Sequence, residues 1–208
     1  MKAAKKTRQV IEYKVLSMIY GHGKGWVFTP NAFATVGDAR SVGMALTRLS
    51  RKGTVRQLAR GLYEYPQRSK QFGLLPPATE EIAKALQGRH ATRLQLSGAH
   101  AAHALGLTEQ VPVRTVYLTD GRGRRVKIGR REIVLKPTTP RNMATAGRTS
   151  GLVIQALRWL GQRHIDEAVL AKLRRNLKPE DRAQLVKDAI YAPAWIGTIL
   201  HRLAAEGE

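Results

Sequence analysis

The chain has 208 residues, 43% hydrophobic and 25% charged, with a formal net charge of +21: a folding composition, long enough for one large domain or two small ones. Cysteine is absent, which excludes disulfides, thiolate catalysis and cysteine-ligated zinc. No apolar run approaches the roughly 18 residues of a membrane span, and the basic start runs into mixed sequence without a small-residue cleavage site, so a cytoplasmic or nucleoid-associated protein with no membrane partner is expected.

The charge is graded along the chain. Residues 1–72 carry 14 basic against 3 acidic side chains, a net of +11. Residues 73–149 carry 13 against 5, and residues 150–208 carry 9 against 7, so the last third is close to balanced. Arginine-rich proteomes raise basicity generally, but a gradient of this kind points to a localised anionic partner.

In residues 8–20, Ile11, Val15, Met18 and Ile19 share one helical face. Gly21–Gly25 stops that helix, and Trp26-Val27-Phe28 offers a short strand that can pair with a later ribbon. Thr29-Pro30 is a helix start, with Thr29 as cap and Pro30 at the first position, and the helix is expected to end before Gly37. The next helix, capped by Asp38 or Ser41, continues to Lys52. Its apolar face is Val42, Ala45, Leu46 and Leu49, and its other face carries Arg40, Met44, Thr47, Arg48 and Arg51. Gly53 ends it in a left-handed conformation. Thr54–Leu58 and Leu62–Tyr65 then read as two strands around Gly61, closed by Pro66.

A short helix, a glycine turn, a second helix with polar reach and a ribbon form a winged helix-turn-helix, whose partner is double-stranded DNA. Arg40 and Arg48 are the best base readers, because a guanidinium matches guanine O6 and N7. Ser41 and Thr47 can reach bases or phosphates, and Met44 lies on the same face. Arg51, Lys52, Arg56 and Arg60 suit phosphates, which fix register without reading sequence. Lys2, Lys5, Lys6 and Arg8 can add a backbone or minor-groove arm. The competing reading of an arginine-rich face is a solvated surface.

Further on, Phe72–Pro77 reads as a linker, and Thr79 caps a short helix to Leu86. Ser97 caps a helix through Leu105, ended by Gly106. Val113–Leu118, Val126–Ile128 and Ile133–Lys136 read as strands of a three- or four-stranded sheet. The loop Gly121–Arg125 and the pair Arg130-Arg131 either extend nucleic-acid contact, dock an acidic or RNA-binding partner, or guard a sheet edge. His100 and His103 stand at i and i+3, but no carboxylate completes a ligand set, so packing or hydrogen bonding explains them better than a metal. After a flexible stretch at Thr138–Thr149, four short helices follow, with Trp159 and Trp195 either in their core or anchoring an interface. The expected fold is α+β: a winged helix-turn-helix at residues 1–72, a small α+β domain at 73–149 and a helical tail at 150–208. The near-neutral tail is a candidate toxin-binding or dimerisation surface.

Two passages resemble the AbiEi family of antitoxins from type IV toxin–antitoxin and phage-exclusion systems. One runs through Val42-Gly-Met-Ala-Leu-Thr-Arg-Leu, Lys52-Gly53 and Arg60-Gly-Leu-Tyr63 ahead of Pro66. The other is Leu96-Ser-Gly-Ala-His-Ala-Ala-His-Ala-Leu-Gly-Leu-Thr-Glu-Gln-Val-Pro112. Together they cover roughly residues 8–137, and the helical tail matches no part of the family pattern. The resemblance implies an autorepressor of its own operon that binds operator DNA at paired half-sites and counteracts a nucleotidyltransferase-like toxin, by direct contact or at the toxin's target. An enzyme is the rival reading. Against it, the acids are scattered and form no D-x-D, E-x-K or H-x-H constellation, so neither cofactor nor catalytic residue is expected. A nonspecific nucleic-acid or ribosome-associated binder is the third reading.

Overall fold

The computed structural model describes residues 2–88 and 92–205, with side chains from residue 9 onward. It is a mixed α+β structure with a helical C-terminal stretch. The chain divides into two compact units, 1–91 and 92–208, rather than the three segments expected.

The first unit begins with α1 (Lys2–His22), followed by β1 (Val27–Phe28), a single 3-10 turn (Pro30–Phe33) and α2 (Ala39–Arg51). The 3-10 turn stands where a short α-helix was expected, and Thr29 makes no capping hydrogen bond there. Asp38 caps α2: its carboxylate accepts from the Ser41 amide at 2.9 Å, so Ser41 receives the cap rather than providing it. Hydrogen bonding from Ser41 also holds the Asp38 carboxyl below its ordinary pKa. Gly53 takes φ +71 just beyond the helix, as a left-handed stop requires. Strands β2 (Arg56–Ala59) and β3 (Leu62–Glu64) form a hairpin, and β1 joins on the other side in the antiparallel order β1-β3-β2.

The core explains this arrangement. Val15 and Ile19 of α1, Phe28 of β1, Phe33 of the 3-10 turn, and Val42, Ala45, Leu46 and Leu49 of α2 are buried together with Val55 and Tyr63. Phe28 meets Phe33 edge to face at 5.3 Å, and Trp26 lies 4.5 Å from Phe28, separations at which aromatic pairs are favourable beyond their buried area. With its apolar stripe committed inward, α2 must turn its other face to solvent.

Beyond β3 comes a second hairpin, β4 (Arg68–Ser69) and β5 (Gly73–Leu74), whose second strand falls in the Phe72–Pro77 stretch expected as a linker. Pro76 and Pro77 follow it and bar helix only there. Helix α3 (Thr79–Gln87) then returns to pack on β1, so it belongs to the first unit. Its N-cap is Ala78, with no side-chain capping bond, and Thr79 is already helical.

The second unit holds β6 (Leu94–Ser97), α4 (Ala99–Ala104), β7 (Arg114–Thr119), β8 (Arg124–Ile128) and β9 (Arg131–Pro137). Its sheet runs β6-β7-β9-β8, with β7 and β9 parallel and the other pairs antiparallel. Ser97 closes strand β6, and Gly98 at φ +64 is the α4 cap. The stretch expected to be flexible contains α5 (Pro140–Met143), with Met143 and Thr145 buried. Helices α6 (Thr149–Leu160), α7 (Glu167–Asn176), α8 (Pro179–Asp188) and α9 (Ala194–Ala205) follow. They share one core with α4, formed by Ala101, Ala102, Leu105, Val153, Leu157, Leu173, Leu200 and their neighbours. The tail is therefore not separable from the middle segment: its apolar faces are spent on the same core. Buried polar bonds tie the layers further. The Ser97 hydroxyl donates to Gln155 at 3.2 Å, and the buried Asp188 accepts from Arg148 at 2.6 Å and from Ser150. Trp195 packs partly against the core, whereas Trp159 is 48% exposed.

Candidate nucleic-acid interface

The outward face of α2 carries Arg40, Met44, Thr47 and Arg51, spaced i, i+4, i+7 and i+11, all exposed. Among the described residues, none of the acidic side chains pairs with Arg40, Arg51 or Arg60, the last of which stands in the β2–β3 turn. The row is broken by Gly43, where an added Cβ would meet nothing within 4 Å. The Thr47 hydroxyl donates to the Gly43 carbonyl at 2.9 Å, which leaves its methyl group and oxygen lone pairs for other contacts. Arginine forks, a methionine and a threonine methyl make a surface able to read base edges in a groove.

Arg48 and Lys52 are engaged differently. Arg48 Nε donates to Glu12 Oε2 and Lys52 Nζ to Glu12 Oε1, each at 2.7 Å. One carboxylate on α1 thus clasps Arg48 of α2 and Lys52, the C-cap of that helix, one turn apart. The Lys52 and Arg48 bonds hold the Glu12 carboxyl below its ordinary value of 4.5. Arg48 keeps most of its donors but is half-buried and partly neutralised, so Arg40 is the stronger base-reading candidate. Ser41, beside the cap, is half-buried.

Arg56, expected to suit phosphates, is engaged within the first unit. Its Nε donates to Glu64 Oε2 at 2.8 Å, its Nη2 reaches the same oxygen, and Nη2 also donates to the Leu75 carbonyl at 3.1 Å. The Glu64 side chain is 1% exposed, so Arg56 supplies the hydrogen bonds that offset its burial. The two residues lie directly opposite in the hairpin register, and their opposite charges on either side of the expected turn were the signal available for finding the pair. For the arm residues Lys2, Lys5, Lys6 and Arg8, the side chains fall outside the described residues, although their backbone belongs to α1.

In the second unit, Arg114 and Arg125 share Glu132 at 3.2 and 3.3 Å, and Arg93 pairs with Asp120 at 2.9 Å. The two histidines are occupied separately: His100 Nε2 lies 3.1 Å from the Thr115 hydroxyl, and His103 Nδ1 lies 3.1 Å from the Thr108 carbonyl. Among the described residues, no group of three histidine, aspartate or glutamate side chains is placed to hold a metal ion, and no helix is long and apolar enough to cross a membrane. The second hairpin presents Arg68, Lys70 and Phe72, all exposed, to which the sequence reading gave no role.

The fold and its basic helix face describe a mixed α+β protein with a candidate nucleic-acid surface. The chain belongs to a family of unknown function, DUF6088, whose model matches residues 14–185. Among curated proteins none matches it.

Proposed function

We propose that this chain is a winged helix-turn-helix DNA-binding regulator that represses its own operon and counteracts a nucleotidyltransferase-like toxin, as the AbiEi resemblance implies. The observation that carries the DNA half is the outward row Arg40, Met44, Thr47 and Arg51 on a helix followed at once by a β-hairpin. The element order helix, strand, short helix, helix and hairpin, with strands in the order β1-β3-β2, supports the winged reading. In this reading α2 enters the major groove. Arg40 donates as a fork to a guanine, and Met44 and the Thr47 methyl contact thymine methyls. Arg51 and Arg60 meet phosphates, and Lys52 and Arg48 add to them from the Glu12 clasp. The protein acts in the cytoplasm by binding and needs no cofactor or catalytic residue.

Arg40→Ala is expected to weaken binding to DNA from upstream of the protein's own gene by about 1–3 kcal/mol while barely changing affinity for a shuffled duplex. Equal loss on both duplexes moves Arg40 to the phosphate contacts and favours the nonspecific binder. The antitoxin half is tested by co-expression with a neighbouring nucleotidyltransferase: growth is expected to be restored, and unrelieved toxicity removes that half.

A further inference from the structure

The β4–β5 hairpin is the least expected feature of the first unit. It leaves β3 with no slack. Tyr65 exchanges backbone bonds with the β1 approach, its amide donating to the Trp26 carbonyl at 2.9 Å and its carbonyl accepting from Gly25 at 2.7 Å. The Leu75 amide closes the hairpin base on the Gln67 carbonyl at 2.9 Å, and Arg56 ties the Leu75 carbonyl to the first hairpin. The tip is equally fixed: Ser69 Oγ accepts from the amides of Gln71 at 3.2 Å and Phe72 at 3.4 Å, and Gly73 turns the chain at φ +66. This firm scaffold leaves Phe72 77% exposed. The other two phenylalanines, Phe28 and Phe33, are buried.

The chain around Phe72 carries only cationic or neutral side chains. Arg68 and Lys70 are exposed on the same hairpin, and no acidic residue occurs between Glu64 and Glu80. An apolar ring held out on the same hairpin as two exposed cations fits an anionic partner that also offers apolar surface. Duplex DNA does so in its minor groove, where phosphates line a cleft walled by sugars and base edges.

We propose that the β4–β5 hairpin is a second DNA-contacting element, with Arg68 and Lys70 on phosphates and Phe72 in the minor groove of the duplex read by α2. This inference rests on the DNA-binding reading above and adds to it a contact outside the helix and the first hairpin. The second contact lengthens the footprint, and the ring supplies apolar burial that salt does not screen.

The test uses the full chain labelled with fluorinated phenylalanine, whose three fluorine resonances are assigned with Phe72→Ala. Addition of a duplex of about 30 base pairs from upstream of the gene is expected to shift the Phe72 resonance and leave those of the buried rings in place. Phe72→Ala is expected to lower affinity about tenfold without changing the salt slope. Arg68→Ala with Lys70→Ala is expected to reduce the slope by about 2. A Phe72 resonance unmoved at saturating DNA, with Arg40→Ala still weakening binding, overturns the hairpin contact and leaves the α2 reading standing. A shift that follows protein concentration without DNA also overturns it, because the ring then meets a second copy. No binding by the unaltered chain overturns both.

Discussion

Arg56→Met separates a structural arginine from a DNA-contacting one. The substitution keeps the aliphatic stem and deletes the guanidinium, so Glu64, 1% exposed, loses both of its charge-assisted bonds and Leu75 loses one. Breaking a fully buried ion pair costs about 3–5 kcal/mol. The Arg56 side chain is 31% exposed, so water reaches part of the site and a loss of about 2–4 kcal/mol is expected. Glu64→Gln, which still offers a carbonyl oxygen, should cost less, about 1–2 kcal/mol. Combined with Arg56→Met it should recover part of the single variant's loss, because the orphaned charge is gone. The assay is urea unfolding followed by Trp26 fluorescence in a background carrying Trp159→Phe and Trp195→Phe, so that only the first unit is observed. DNA affinity, measured well below the unfolding midpoint, should be nearly unchanged. A stability loss under about 0.5 kcal/mol together with weakened DNA binding would refute the argument and return Arg56 to the phosphate contacts.

Glu12→Gln removes the negative charge that clasps Arg48 and Lys52; affinity for any duplex should rise, and the salt slope should steepen by about 0.9 in a filter-binding titration. Because the Lys52 and Arg48 bonds lower the folded-state pKa of Glu12 below 4.5, its contribution to stability is fully present above that pH. It is lost as pH falls through the lowered value, which carboxylate NMR would follow; a Glu12 titrating at or above 4.5 contradicts the clasp. In the second unit, Gly151→Ala drives a methyl into the Thr145 carbonyl and Gln95 Oε1. It should destabilise that unit by about 1–3 kcal/mol in chemical denaturation, and a neutral result would mean that the α5–α6 turn yields freely.

Much of the first unit was legible because local signals agreed. Asp38, the stripe Val42, Ala45, Leu46 and Leu49, and Gly53 state the start, inward face and end of α2 without reference to the rest of the chain. The pairing of β1 with the ribbon followed from Trp26-Val27-Phe28 standing between helices. The second hairpin was lost because two residues per strand give no alternation to read, and Pro76-Pro77 dominated the segment. Strand β6 was lost because Ser97 looked like a helix cap while in fact closing a strand.

The merging of tail and middle was not readable in principle. Periodicity says that α4 and α6 each have an apolar face, not that the faces meet. The same limit applies to the site. Exposure of Arg40, Met44, Thr47 and Arg51 follows from their position opposite the stripe, but the Glu12 clasp joins residues 36 and 40 positions apart. No local pattern encodes it.

The central claim is that α2 reads a duplex. Its most direct test is the equilibrium affinity of the unaltered chain for the sequence upstream of its own gene, against a shuffled duplex of equal length, at roughly 0.15 M salt. The account predicts binding to the native sequence at least about a thousandfold tighter than to the shuffled one; equal affinities would contradict it.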